Sequence, residues 1–214
     1  MKFTWLKNWN VVPLAILIAG AVASAPVFAQ SQSGQGTQGS GSNPDKIQDR
    51  KENQQDRIAQ GVKSGQLTAH ETGNLENKEA NLNQETRDDR QANGGKLTSG
   101  EKQQINRQQN NLSKQIYDDK HNGQTAHYGN NEVGQRRENQ QDRIAQGIKS
   151  GKMSARQTAN IENKESAVNH EIKNDRQANG GKLTSGEKAK VNQQQNKMSG
   201  QIYRDKHSGT KAKQ

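Results

Sequence analysis

"DRQANGGKLTSGEK" runs from Asp89 to Lys102 and recurs, letter for letter, from Asp175 to Lys188. Its second half is the start of a helix. Gly95 supplies a turn, Leu97 an apolar anchor, and Thr98 with Glu101 a capping box. In such a box the hydroxyl accepts from a free backbone N–H, and the carboxylate reaches back to the cap residue. Gly181, Thr184 and Glu187 repeat this arrangement, as do Gly65, Thr68 and Glu71, while Gly151, Ser154 and Gln157 form a fourth version. These corners lie within a longer duplication with an offset of 86 residues: Arg50 to Asn122 aligns without a gap on Arg136 to Ser208, and 48 of 73 positions are identical.

The differences between the copies locate the core. Val62 faces Ile148, Leu67 Met153, Leu75 Ile161, Leu82 Val168, Ile105 Val191 and Leu112 Met198, so apolar character survives each change. Polar neighbours drift, and Thr86 against Ile172 breaks the pattern. The spacing of these residues is helical. Ile47, Gln54 and Ile58, then Leu75, Leu82 and Thr86, then Ile105, Leu112 and Ile116 recur at i, i+7 and i+11. In the second copy the series are Val133, Gln140 and Ile144; Ile161, Val168 and Ile172; Val191, Met198 and Ile202. Steps of seven and four share one helix face, and no alternation of strand type is present.

The expected fold is therefore all-α: two tandem copies of a sparse three-helix, helix-loop-helix unit. Helices are expected near 45–60, 68–88, 98–119, 131–146, 154–174 and 184–205, each preceded by loop glycines, Gly61 and Gly147 among them. A long helical hairpin is the alternative. The domains expected are a signal peptide (1–29), a disordered Gly/Ser/Gln spacer (30–43), repeat 1 (44–122), a linker (123–130), repeat 2 (131–208) and a disordered basic tail (209–214).

The signal peptide rests on Lys2 and Lys7 ahead of the apolar run Val11 to Ala23, with Val27 and Ala29 before a cut at Ala29–Gln30. The chain is then expected to be exported, periplasmic or extracellular, with no membrane span in its mature part. Both Trp and both Phe lie inside the first 29 residues, so the aromatics beyond it are Tyr117, Tyr128 and Tyr203. Losing Lys2 and Lys7 leaves 30 basic against 22 acidic residues. Leu, Ile and Val number 19 of the remaining 185, and mean hydropathy of the whole chain is −1.30. So little apolar material predicts a marginally stable fold. Absence of cysteine rules out disulfides and thiol chemistry.

The stretch Gly95 to Glu101 resembles the exit half of an EF-hand loop, which would imply calcium. The ligand positions disagree: counting back from Glu101, the first, third and fifth hold Arg90, Ala92 and Gly94. Metal candidates are left out of register, at Asp89, Asn93 and Glu101 and at Asp175, Asn179 and Glu187. Asp119 and His121, with Asp205 and His207, offer a second, weaker metal arrangement at the helix ends.

No nucleophile elbow or phosphate loop is present, so no catalytic or cofactor-binding residue is expected. The basic excess points to anionic envelope polymers, or to a protein not identifiable from sequence. Sequence-specific nucleic-acid binding is not expected, because three tyrosines make a poor stacking platform. The function expected is a non-catalytic binding or structural module, with an anionic envelope surface as its expected place of action. High Gly, Gln and Asn content, no Cys and low hydropathy resemble the hydrophilins and late-embryogenesis-abundant proteins, which implies the alternative of a hydration protectant. A degenerate EF-hand-like metal binder is the third reading.

Overall fold

The computed structural model describes residues 44–209, so the expected signal peptide, the spacer and the tail beyond Gly209 lie outside the described residues. Six helices follow one another: α1 (Pro44–Lys63), α2 (Ala69–Ala92), α3 (Ser99–His121), α4 (Glu132–Lys149), α5 (Ala155–Ala178) and α6 (Ser185–His207). No strand occurs among the described residues.

The starts fall where the capping signatures place them. Thr68, Thr98, Ser154 and Thr184 are N-caps, and each forms both bonds of its box with Glu71, Glu101, Gln157 or Glu187. The ends run two to four residues further than the sequence suggests. Gly61 and Gly147, read as loop residues, lie inside α1 and α4 instead. They are needed there because the chain folds back on the helix it has just left. A Cβ on Gly61 would stand 2.6 Å from the Cδ1 of Leu67, and one on Gly147 2.6 Å from the Sδ of Met153. The Leu67 N–H donates to the Gly61 carbonyl at 3.0 Å, and Met153 N–H to that of Gly147 at 3.1 Å.

All nineteen Leu, Ile and Val residues beyond residue 29 are buried. The six pairs that exchange apolar identity between copies are all inside, Met153 and Met198 included, whereas Thr86 is only half-buried. Each copy contributes a small cluster of its own: Ile47, Leu82, Leu97 and Ile105 in the first, and Val133, Val168, Ile172, Leu183, Val191 and Met198 in the second. The largest cluster draws on both copies, with Ile58, Val62, Leu67, Leu75 and Ile116 joined to Ile144, Ile148, Met153, Ile161 and Ile202. Helix α2 packs on α5 and α1 on α4, more extensively than the helices of one copy pack among themselves.

Both contacts are antiparallel. The start of α2 (Ala69, His70) shares a cleft with the later part of α5 (Asn169, His170), and the start of α5 shares one with Asn83 and Arg87 of α2. Likewise Gln48 and Lys51, early in α1, face Ile148 and Lys149 at the end of α4. An antiparallel meeting of equivalent helices relates the two copies by an approximate twofold axis.

Glutamine extends the thin apolar seam. Buried Gln54 in α1 donates to the Gln109 carbonyl at 2.7 Å and to Ser113 Oγ at 3.0 Å, and Gln109 donates back to the Ile47 carbonyl at 2.9 Å. Gln140 and Gln195 repeat this clamp between α4 and α6, at 2.8 Å to the Gln195 carbonyl and 3.0 Å to that of Val133. The amide therefore sits inside the stripe because it ties α1 to α3, and α4 to α6, by main-chain bonds.

Two glycine substitutions test the folded-back corner. Gly100 in α3 has no atom within 4 Å of an added Cβ, so Gly100→Ala should raise the melting temperature through helix propensity, worth up to about 1 kcal/mol. Gly61→Ala has the same propensity gain but drives a methyl into Leu67, and a lower melting temperature by circular dichroism is the expected result. A rise for both would show that Leu67 does not depend on the missing Cβ.

Candidate functional site

The corners carry the metal candidates, and there the side chains bond to one another. Asn93 donates its amide to both carboxylate oxygens of Glu101, at 2.8 and 3.0 Å, and to the Asp89 carbonyl at 2.9 Å. Asn179 does the same to Glu187, at 2.8 and 2.9 Å. The backbone N–H groups of Thr98 and Thr184 reach the same carboxylates at 2.7 Å. These N–H bonds hold the Glu101 and Glu187 carboxyls below the usual range, whereas loss of hydration and Glu101 itself raise Asp89. Asn93 and Asn179 thus present hydrogen, not oxygen, to the glutamates beside them. Asp175 takes part through its backbone carbonyl, which accepts from the Asn179 N–H at 3.0 Å. Gly95 and Gly181 hold φ near 90°, a conformation that disfavours any side chain. Among the described residues no three His, Asp or Glu side chains converge as on a metal.

The remaining candidates are equally engaged. Glu71 caps α2 and also accepts from Asn122 at 2.7 Å, and the Ala126 N–H donates to the Gly65 carbonyl at 2.8 Å. The linker is in this way tied to the first corner of repeat 1. His121 and His207 bond the carbonyls of Tyr117 and Tyr203, and Asp119 lies in the field of Glu71 and Lys78. Gly151 holds φ 62° in the turn before Ser154.

The unanticipated group lies in the α2–α5 seam. Glu76 and Glu79 on α2, with Glu162 and Glu165 on α5, are between 0 and 2% exposed. The sequence carries a signal for them, since "ENKE" is identical at Glu76–Glu79 and Glu162–Glu165 and immediately follows Leu75 or Ile161. Glu79 and Glu165 stand four residues after the buried Leu75 and Ile161 and share their helix face, and Glu76 and Glu162 lie one turn before those glutamates.

Their partners are few. Gln55 donates to Glu76 at 3.2 Å and Gln141 to Glu162 at 3.0 Å. Asn83 donates to Glu79 at 3.3 Å, and Arg137 Nε to Glu165 at 3.2 Å. One oxygen each of Glu76, Glu79 and Glu162 has no protein partner. Burial pushes the Glu76 carboxyl up to about 8, and the neighbouring Glu79 adds to the rise while Gln55 opposes it. Burial likewise takes Glu79 to about 7 against the pull of Lys51, and raises Glu162 and Glu165. A proton on Glu162 converts an orphan acceptor into a donor, and the same amide that binds it, Gln141, has an orphan Oε1. The Gln141 N–H serves acid and carboxylate alike and by itself favours the charged form, but burial outweighs it.

Two clefts flank the seam and are related by the 86-residue offset. One, of about 440 Å³, is lined by Ala69, Arg137, Gln141 and Asn169; the other, of about 390 Å³, by Ala155, Lys51, Gln55 and Asn83. They differ in the linker. Tyr128 enters the first cleft, with the Arg137 guanidinium 5.3 Å over its ring. That guanidinium sits between the phenol and Glu165, and burial beside Glu162 pushes the Tyr128 hydroxyl up.

The raised carboxyls make stability depend on pH in a definite sense. Folded Glu76 and Glu79 keep their protons to about 8 and 7, while in the unfolded chain they ionise from about 4.5 upward. The folded state therefore binds more protons across that interval, and stability falls as pH rises from about 4.5 to 8. Below 4.5 the depressed carboxyls of Glu101, Glu171 and Glu187 act oppositely, since protonating them removes their bonds. The melting temperature should peak near pH 5 and decline toward pH 9. In Glu76→Gln/Glu162→Gln the alkaline decline should shrink, and an unchanged slope would show that the seam does not titrate. Calcium at about 1 mM should leave the midpoint where it is; an upward shift would mean that Glu101 and Glu187 exchange their caps for an ion.

Comparison of the chain with protein-family models, with curated proteins and with solved structures returns no match to any of them.

Proposed function

We propose that this is a non-catalytic, exported helical-repeat module that binds an anionic polymer or surface of the cell envelope. One observation carries the reading. Four glutamates of an already basic chain are withdrawn into the α2–α5 seam, where burial favours their neutral form. The solvent-facing surface is consequently more positive than the formal count of 30 basic against 22 acidic residues. The capping glutamates are held by backbone and amide N–H groups; the first cleft places His70, His127, His170, Tyr128 and Glu165 among amides and cations, and the second adds Glu52 and Asp56 to a similar lining. An excess of solvent-facing cations suits adhesion to an anionic partner. Among the described residues no helix is long and apolar enough to cross a membrane.

Co-sedimentation with particles coated in acidic polymer, and with uncharged particles as the control, tests the reading. Retention on the acidic particles should fall steeply as salt is raised, because screening shortens the reach of surface charge to about 8 Å at physiological ionic strength. Equal retention on uncharged particles, or retention indifferent to salt, would reject it. Circular dichroism in dilute buffer discriminates the protectant alternative: a cooperative melt supports a prefolded module, and coil that becomes helix only on drying supports the protectant.

A further inference from the structure

Tyr117 and Tyr203 are the large apolar side chains left in solvent among the described residues, at 58 and 60% exposure, and they occupy the same place in the two copies. The core makes no use of them. Each ring has one face against a histidine one turn on, with centroids 4.2 Å apart in both copies. His121 and His207 are fixed in turn, because Nδ1–H donates to the tyrosine's own carbonyl at 2.6 and 2.7 Å. The outer face of each phenol stays open.

Beside each tyrosine lies a row of cations held by neutral acceptors. Arg57 on α1 crosses to the Ser113 carbonyl on α3 at 3.0 Å, and Arg50 to Asn110 Oδ1 at 2.9 Å. In the second copy Arg143 reaches the Ser199 carbonyl at 3.1 Å, and Arg136 bonds Asn196. Lys206 donates to the Arg143 carbonyl at 3.2 Å, and its counterpart Lys120 lies against Gly61 of α1. Of the ion pairs among the described residues, Arg137–Glu165 and Lys190–Glu171 lie elsewhere, and Lys114–Asp118 lies on the first edge without involving these cations. Partial burial and the adjoining arginine both lower Lys120 and Lys206, the mark of like charges held together. Arg50, Arg57, Asn110, Ser113, Tyr117, Lys120 and His121 are all identical in the second copy.

From this juxtaposition we propose that the α1/α3 edge and its α4/α6 counterpart are twin binding sites for an acidic glycan, a polymer of carboxylated sugars; the proposal rests on the anionic-polymer reading above. The C–H face of a sugar ring stacks on the open phenol, and its carboxylate meets the Lys120–Arg57 or Lys206–Arg143 pair in charge-assisted hydrogen bonds. A lipid surface fits less well, because one ring flanked by Ser113, Lys114 and His121 has no apolar area to insert. Single-stranded nucleic acid needs successive stacking platforms, and each edge has one. The edges are unequal. Lys114 and Asp118 neutralise each other at 3.1 Å in the first copy, where the second has Gly200 and Arg204. The α4/α6 edge is therefore the more basic and the tighter site.

Calorimetric titration of the full protein with polygalacturonate, dextran, single-stranded DNA and anionic lipid vesicles tests this, with melting curves to verify that each variant is folded. Tyr117→Ala/Tyr203→Ala and Lys120→Gln/Lys206→Gln should each weaken polygalacturonate binding roughly tenfold. Lys96→Gln/Lys182→Gln, which removes the same charge from exposed corners, should change it much less. Tyr203→Ala alone should cost more than Tyr117→Ala alone. If the corner variant loses as much as the edge variants, the edges are not the site, although the anionic-polymer reading stands. If the wild type binds none of the anionic ligands, that reading fails as well. Tighter, tyrosine-dependent binding of DNA or vesicles than of polygalacturonate would overturn the choice of a glycan.

Discussion

The antiparallel packing of α2 on α5 is the constraint from which the rest of the structure follows. Nineteen Leu, Ile and Val residues are too few to close two separate cores, and the largest cluster instead pools side chains from both copies around Leu75 and Ile161. Equivalent helices meeting antiparallel impose a twofold relation, which brings α1 onto α4 and leaves α3 and α6 on the outer flanks. Close approach at the seam is evident at Gly73, where a Cβ would stand 2.7 Å from the Oδ1 of Asn163. Hydrophobic burial scales with area removed from water, so sharing one interior makes each scarce residue count fully.

Sharing has a polar consequence. A helix with a narrow apolar stripe that is covered on two sides must bury whatever flanks the stripe. In α2 and α5 the buried polar residues are glutamates with Thr72 and Thr158, and in α1, α3, α4 and α6 they are glutamines. Glutamine meets it in part, its Nε2 bonding main-chain carbonyls as in Gln54 and Gln109 while its Oε1 has no protein partner. For glutamate, burial favours the protonated form at all four seam positions, and Glu165 has Arg137 as a partner besides. Isolated carboxylates in a poorly solvated seam cost several kcal/mol each, far more than taking up a proton near neutral pH. The same chemistry makes the fold responsive to acid and shifts the balance of surface charge toward the basic side.

Much of this could be read without coordinates. The apolar positions at i, i+7 and i+11, together with the apolar exchanges between copies, identified buried positions from Ile47 to Ile202, and the Thr or Ser boxes placed four helix starts. The helix ends were less legible. Gly61 and Gly147 look like loop residues by propensity, yet their role is to admit Leu67 and Met153, a contact made only when the chain turns back. "ENKE" beside an apolar anchor was visible but reads first as a solvated helix face, because nothing local announces a second neighbour.

The sequence by itself determined the helices, their starts, the duplication and the apolar face of each element, because periodicity and capping act within a few turns of chain. Only the structure showed that the two copies share one interior, that Glu76, Glu79, Glu162 and Glu165 are enclosed by it, and that Asn93 and Asn179 hold the capping glutamates Glu101 and Glu187. The physical reason is that burial belongs to the neighbours of a residue rather than to the residue. A glutamate has one protonation state on a free helix and another when a second helix closes over it, and only the packing supplies that second helix.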